Sequence, residues 1–509
     1  MIDRIREKPV LVIAGPGAGK TYDMVSRVVE VLPALSPNRV LAVITYTNAA
    51  TDSIRDRLCR AAEIPPNVFI GTNHSFLNQF ILIPYATLFG HVSQDKLFLE
   101  MDVREIVKKR LREQGGGKTQ DSYAVRNAMR KRITAKLLAK GMVPFEQIPE
   151  IAFSLMQNER VRDLVCNRIQ YLFIDEFQDV DTCQMRVFDA VRKGRRTTIY
   201  AVGDPEQYIL GFTYAGTRPK FRNIPISRFS AQRRTNDLNR RAYSEIVDFT
   251  NHFHTEIKQR ATKGSSEHAG VFFIADTNMD AIVRSYRELT RVLDVVGNPV
   301  TRFYLAWENR TFEGQVHKFG LTPVSNDSVN TRTLLSEALA WISAVVGLTP
   351  KQIRDKCDLD QVDLRKVGMR LMKVIRERNP TEDELVSFVC DALRLKPEAE
   401  SIRVSTQLHR LATRLSYDPA AAGDSHQYSS IHKAKGLEAD AVLVVASKEK
   451  MLKKWLTTDK DGRRDDKSDT CRIGFVGFSR AKQILCTACK QQISDQLKDE
   501  LRTLGVCTD

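Results

Sequence analysis

The sequence predicts an α/β protein in which parallel sheets are flanked by helices. Short β-branched runs end in polar or glycine-rich turns, as parallel strands covered on both faces do. Helical patterns separate those runs. A glycine-rich segment, Ala14-Gly15-Pro16-Gly17-Ala18-Gly19-Lys20-Thr21, follows the first run and leads into a helical pattern.

Taken in order, the runs 10–13, 40–44, 68–70, 171–174 and 198–202 are unbroken and apolar, and the segment 49–62 supplies one intervening helix. A second set of runs, 302–306, 441–445 and 484–487, predicts another such domain late in the chain. Two mostly helical stretches, 77–165 and 311–424, read as insertions because strand signals resume after each. No fixed-period repeat or low-complexity segment interrupts the pattern.

With 509 residues, 42% hydrophobic and 28% charged, the chain can bury large cores and is not a disordered one. At about 150 residues per domain it makes roughly three or four folding units. Its 26 Gly, 18 Pro and 9 Cys exclude collagen-like and disulfide-scaffold classes. No apolar stretch suited to a signal peptide precedes the first glycines, and the window 76–89 is broken by Asn78, Gln79 and Pro84, too short for a bilayer. An odd number of scattered cysteines fits free thiols in a reducing cytoplasm. Cys486 and Cys489 form a CxxC pair, but Ile484, Cys486 and Ala488 alternate like the inner face of a strand, which favours packing over metal binding. The net charge of +16 points towards a polyanion such as nucleic acid.

The glycine-rich segment lets the backbone curl until several N–H groups and a helix N-terminus face one anion. Lys20 then supplies charge to the β- and γ-phosphates, and the Thr21 hydroxyl holds Mg²⁺. Ala14 stands where the strict pattern has Gly. A second signal is Tyr171-Leu172-Phe173-Ile174-Asp175-Glu176-Phe177-Gln178-Asp179. Its adjacent carboxylates fall at the C-terminal edge of a parallel sheet, where such sheets bind ligands. Asp175 suits Mg²⁺, and Glu176 suits orienting and deprotonating a water. Together the two segments predict nucleoside triphosphate hydrolysis and leave the driven process open.

Seven segments in order resemble those of the UvrD/Rep/PcrA group of superfamily 1A DNA helicases. Thr45-Tyr46-Thr47-Asn48-Ala49-Ala50 is similar to TFTNKAA, and Gly71-Thr72-Asn73-His74-Ser75-Phe76 to TFHSF. Ile174 to Asp179 matches DEFQD. Val202-Gly203-Asp204-Pro205-Glu206-Gln207, followed by Phe212, resembles VGDPDQSIYxFRGA. Gln232-Arg233-Arg234-Thr235 takes the place of NYRS. Ile431-His432-Lys433-Ala434-Lys435-Gly436-Leu437-Glu438 is close to IHxxKGLE, and Val476-Gly477-Phe478-Ser479-Arg480-Ala481 to VALTRA.

The resemblance implies two RecA-like P-loop domains, residues 1–76 with 166–222 and residues 223–310 with 425–509. ATP and Mg²⁺ occupy the cleft between them, and two helical insertions span 77–165 and 311–424. It places Ala14 to Thr21, Arg233, Arg234, Gly436, Glu438 and Arg480 on the nucleotide, and Thr21 and Asp175 on Mg²⁺. Gln207 couples the γ-phosphate to domain movement, while Arg234 and Arg480 are the second domain's arginines on that phosphate. Single-stranded DNA crosses both domains, with Tyr46, Thr47, Asn48, Thr72, His74, Phe76, Phe212 and His432 as its contacts, the aromatics by stacking. Residues 101–140 carry 12 Lys and Arg against 4 Asp and Glu, and the family places a DNA-contacting insert there.

Three departures stand out. Only 14 residues precede Gly15, too few for the family's adenine-reading Gln motif. Arg233 replaces the adenine-stacking Tyr, which leaves base selectivity open, and Thr213 replaces the Arg of FRGA. The short second insertion and the absence of an appended nuclease make the layout most like the helicase-like subunit of the Gabija anti-phage defence system. That resemblance implies a hetero-oligomer with a TOPRIM/OLD-family nuclease subunit, stimulated by DNA ends. The leading expectation is a DNA-dependent ATPase translocating 3′ to 5′ on single strands inside such a complex. The alternatives are a stand-alone repair helicase and a DNA-end sensor that switches a partner nuclease with little unwinding.

Overall fold

A computed structural model describes residues 8–88, 98–101, 123–139, 141–209, 229–296, 300–324, 334–348, 350–359, 361–378, 380–397, 408, 425–465 and 469–508. The chain forms two compact units, Met1–Val292 with Phe303–Thr322 and Tyr428–Asp509, and Leu293–Arg302 with Pro323–Gln427.

The larger unit begins with β1 (Val10–Ala14), β2 (Val40–Thr45) and β3 (Val68–Thr72). A small pair, β4 (Phe98–Met101) with β5 (Met142–Pro144), precedes β6 (Ile169–Ile174), β7 (Thr198–Gly203) and β8 (Gln232–Asn236). The first sheet has the order β3-β2-β6-β7-β1-β8, and every adjacent pair in it is parallel. Period-two alternation sorts its side chains into two cores. Leu11, Ile13, Ala42, Ile44, Leu172 and Ile174 face one, which is completed by Phe76, Phe80 and Phe188. Val12, Val43, Phe173 and Val202 face the other, against Met24 and Val28 of the helix Lys20–Val31 and Ile54 and Leu58 of the helix Asn48–Ala61. Each fully buried side chain of this kind contributes about 1.5–3 kcal/mol. Both faces being covered is why the strands read as unbroken apolar runs.

After β9 (Leu238–Asn239) and its partner β10 (Arg260–Ala261) comes the second sheet. Its strands are β11 (Gly270–Ile274), β12 (Thr301–Ala306), β13 (Thr322–Pro323), β14 (Ser425–Ser430), β15 (Ala439–Ala446) and β16 (Ala481–Cys489). They run in the order β11-β16-β15-β12-β14-β13. Cys486 and Cys489, three residues apart on β16, fall on opposite faces of it. Within the smaller unit the helices Leu334–Val346, Pro350–Cys357, Gln361–Arg378 and Glu382–Leu393 pack around Trp341, Ile342, Leu371 and Val389.

The fold class is thus α/β, as the apolar runs and their spacing indicate. β8 is the informative departure. Gln232, Arg233, Arg234 and Thr235 are exposed, so no hydrophobic pattern marks this edge strand, which is held by its backbone ladder to β1. The first sheet therefore draws on residues beyond 222, where the sequence reading changes domain. The apolar window after residue 75 is core: Phe76, Leu77, Phe80, Ile81 and Leu82 all pack in the first cluster. Among the described residues no helix is long and apolar enough to cross a membrane.

Candidate nucleotide site

β1 ends at Ala14, and the chain turns into the helix Lys20–Val31 through Gly17 at φ 70° and Gly19 at φ 81°. An L side chain in that left-handed region costs about 1–2 kcal/mol. Space forbids side chains as well. A Cβ on Gly15 would lie 2.5 Å from Gln259 Cδ, and one on Gly17 would collide with Asn239 and Arg241. These neighbours hold the loop by its carbonyls. Gln259 Nε2 donates to Pro16 O (3.0 Å), the Arg240 amide to Gly17 O (2.9 Å), Arg240 Nη1 to Ala18 O (2.9 Å) and Lys20 Nζ to Ala14 O (3.3 Å). The N–H groups opening the helix then remain for a ligand, and their partial positive charge suits an anion.

β6 carries Asp175, whose amide extends the sheet by donating to Ile44 O (2.9 Å). Glu176 follows in the left-handed region at φ 48°, and Gln178 Nε2 donates to its carboxylate. Gln178 Oε1 accepts from the Asp204 amide (2.9 Å), tying the acid pair to the next loop. Burial and the neighbouring Glu176 push Asp175 up to about 7, despite Lys20. Burial alone would raise Glu176 too, but Lys20, Lys435 and the Gln178 hydrogen bond outweigh it and hold that carboxyl below its usual range. A buried acid that ionises reluctantly beside an anionic one is a donor set in need of a cation. Asp175 therefore fits a hard divalent ion such as Mg²⁺.

The loop after β7 meets groups from the chain's last third. Gln207 Nε2 donates to Asp204 Oδ2 (2.7 Å), and His254 Nε2 lies 3.0 Å from Asp204 Oδ1. Burial would raise Asp204, but the His254 contact dominates and lowers it to about 2. Lys435 Nζ donates to Asp179 Oδ1 (2.8 Å) and Gln207 O (2.9 Å). Arg480 is buried, with Nη2 3.4 Å from Gln207 Oε1, Nε on Val476 O (2.9 Å) and Nη1 on Leu437 O (3.2 Å). Arg241 donates to Ser479 O and lies 3.4 Å from Glu438 Oε2. Burial, then the Arg241 charge, bring Arg480 down to about 9. Gly436, at φ 85°, makes the turn before Glu438.

The arginines beside the phosphate loop are therefore Arg240, on Gly17 O and Ala18 O, and Arg241, packed against Gly17, and not Arg234, a correction to the sequence reading. Arg234 is opposite Val12 on β8 and lines a separate 450 Å³ cavity with Asp23, Arg27 and Tyr200. Arg233, on the other face of the strand, lies 4.0 Å from Glu256. Asn239-Arg240-Arg241-Ala242 has the Asn and Arg of NYRS at the motif's own spacing, which Gln232-Arg233-Arg234-Thr235 lacks. That asparagine was the readable signal. Its Oδ1 accepts from the Arg241 and Ala242 amides (both 3.0 Å), which sets the turn that aims Arg241. Gln259 carried no signal, because it acts through a fold contact.

The expected DNA contacts divide. Phe76 is fully buried among Phe69, Phe80 and Phe188, so it is a core residue and has no face for a base. Tyr46, Thr47 and Asn48 are exposed at the end of β2, where Thr47 caps the next helix by accepting from the Ala50 amide. Thr72 caps in the same way, accepting from the Ser75 amide. His74 stacks on Phe145 with centroids 3.8 Å apart, and burial lowers it to about 4. His432 meets Trp307 edge-on at 5.9 Å. Phe212, Thr213 and most of the basic stretch 101–140 lie outside the described residues.

Comparison with known proteins agrees with this geometry. A family model described as an AAA domain matches residues 1–213. The chain is 22% identical over 462 residues to the Gabija protein GajB of Bacillus cereus (strain VD045), covering 86% of this chain and 87% of that protein. It is 26% identical over 248 residues to the ATP-dependent DNA helicase Rep of Escherichia coli (strain K12), covering 42% of this chain and 36% of Rep. A probable DNA helicase II homolog of Mycoplasma capricolum is 25% identical over 300 residues, 50% of this chain and 40% of that one. Fold, site and relatives together support a UvrD/Rep-like superfamily 1 helicase. Within that class the chain is GajB-like, since that similarity runs along most of both proteins.

Proposed function

We propose that this chain is a DNA-dependent ATPase that moves 3′ to 5′ along single-stranded DNA in a reducing cytoplasm and works with a nuclease subunit in anti-phage defence. Arg241 packed against the phosphate loop and Arg480 beside Gln207, close to the Asp175–Glu176 pair, carry the ATPase part. The extent of the GajB likeness supports the defence role and a TOPRIM/OLD-type nuclease partner.

The N–H groups of Gly17, Gly19, Lys20 and Thr21 and the Lys20 ammonium would hold the phosphates, and Thr21 with Asp175 would hold Mg²⁺. ATP is the substrate whose bond is cut, and Mg²⁺ held there would supply positive charge to offset the charge developing on the phosphates. Glu176, kept anionic by Lys20 and Lys435, orients the attacking water and takes its proton. Arg241 and Arg480 stabilise the equatorial oxygens, and Gln207, between Asp204 and Arg480, links that event to the two sheets. Arg240 takes the place of the base-stacking Tyr, and its guanidinium stacks on any purine or pyrimidine. Gly436 and Glu438 close the nucleotide's other side.

Hydrolysis of all four triphosphates with and without single-stranded DNA tests this reading. Strong DNA stimulation, abolished by Lys20→Ala, is the expected result. A wild-type chain that DNA does not stimulate would refute it. On a tailed duplex, stimulated hydrolysis with little strand separation would favour the end-sensor reading over a translocating helicase.

A further inference from the structure

Outside the segments that define the site, the helix Lys460–Asp465 sends Arg463 into the interior, where it is 1% exposed. Its Nη2 donates to Glu206 Oε2 (2.7 Å), an equally buried partner, and its Nη1 to Thr457 O (3.1 Å). Its guanidinium also lies over the Phe253 ring, 5.7 Å from the centroid. The other Glu206 oxygen accepts from Thr255 Oγ1 (2.6 Å). Glu206 is the middle residue of the turn Pro205–Gln207, so its side chain fixes the turn that carries Gln207. On the far side of Gln207, Arg472 Nε donates to Tyr208 O (3.0 Å), and its Nη1 donates to Arg463 O (3.1 Å). Three consecutive residues are thus held by three arginines: Glu206 by Arg463, Gln207 by Arg480 and Tyr208 by Arg472.

We propose that Arg463 is a positioning residue for hydrolysis, locking the 205–208 turn so that the Gln207 side chain stays between Asp204 and Arg480. Its guanidinium acts on the turn through Glu206 and its carbonyl through Arg472, and neither contact involves the phosphate loop. The inference rests on the proposed ATPase activity. A fully buried ion pair is a weak source of net stability, since desolvation offsets most of the attraction. Its geometric effect is specific, because the fork is bonded to both the turn and the Thr457 carbonyl.

Removing Arg463 alone would leave Glu206 buried and uncompensated, so the informative variant is Glu206→Met/Arg463→Met, which removes both charges. Its thermal midpoint should stay near wild type and its KM for ATP within about two- to threefold, because the phosphate loop is untouched. Turnover should fall by about 10- to 100-fold, as for other misplaced active groups, and the ratio of DNA-stimulated to basal rate should drop with it. A folded double variant with wild-type turnover and stimulation would overturn the proposal while leaving the ATPase reading intact. A wild-type chain without ATPase activity would overturn both.

Discussion

Replacing Arg241 by Ala, with Arg234→Ala as its counterpart, separates the arginine that the structure places at the phosphate loop from the one suggested by the neighbouring segment. Arg241 loses two ground-state contacts, to Ser479 O and to Glu438. Hydrogen bonds to charged groups are worth about 1.5–3 kcal/mol each at most, and this pair is only part-buried, so the fold should survive with a lowered melting temperature. The transition-state loss is larger. Arginines on a transferring phosphoryl group are worth about 10³- to 10⁵-fold in turnover, or roughly 4–7 kcal/mol of barrier. DNA-stimulated steady-state hydrolysis at saturating ATP reads this directly, with circular dichroism as the control for folding. Turnover in Arg241→Ala should fall by at least about 10³-fold, whereas Arg234→Ala, facing Asp23 and Tyr200 in its own cavity, should stay within about twofold, as surface changes usually do. Normal turnover in Arg241→Ala, or a dead Arg234→Ala, would refute the reassignment.

Two further outcomes follow from the same geometry. Phe76→Ala empties a packed aromatic site and should cost about 3–5 kcal/mol of stability, read as a lower denaturant midpoint, with single-strand affinity of the folded protein unchanged; a selective loss of DNA binding would restore Phe76 as a contact. His74 has a folded value near 4 against 6.5 for the free side chain, so its neutral form is the stable one. Its contribution is complete above 6.5 and is lost as pH falls towards 4. The melting temperature of His74→Phe, which keeps the stack on Phe145, should therefore gain on wild type across that window, and parallel curves would refute the assignment.

What was legible in the sequence was whatever depends on local pattern. Strands covered on both faces must be apolar throughout, so β1, β2, β6 and β7 announced themselves, and the phosphate loop is readable because only glycine tolerates the backbone at Gly17 and Gly19. Contacts made across the fold left no such trace. β8 pairs through its backbone and is solvent-facing, and Gln259 looks like any surface glutamine until β10 brings it over Pro16. Phe76 shows the opposite failure. Its motif neighbours suggested an exposed ring, but its place after β3 points it into a core that needs aromatic volume.

The arginines bring a sharper point about coupling. Arg480 lies within 3.4 Å of Gln207 Oε1, and Lys435 is bonded to Asp179. Their charges are held by their own half of the chain: Arg480 donates to Val476 O and Leu437 O, and Arg241 to Ser479 O. These carbonyl dipoles offset the burial of Arg480 and the repulsion from the half-buried Arg241, which together, burial first, lower the Arg480 value to about 9. An incoming polyanion relieves that repulsion without first paying to order the side chains, which is the sense in which an electrostatic site is preorganised. The step that remains to be coupled to motion is then a change of partners around Gln207. Its side chain is shared between Asp204 and Arg480, and under the proposed function a change of charge at the phosphate loop would act on that shared contact.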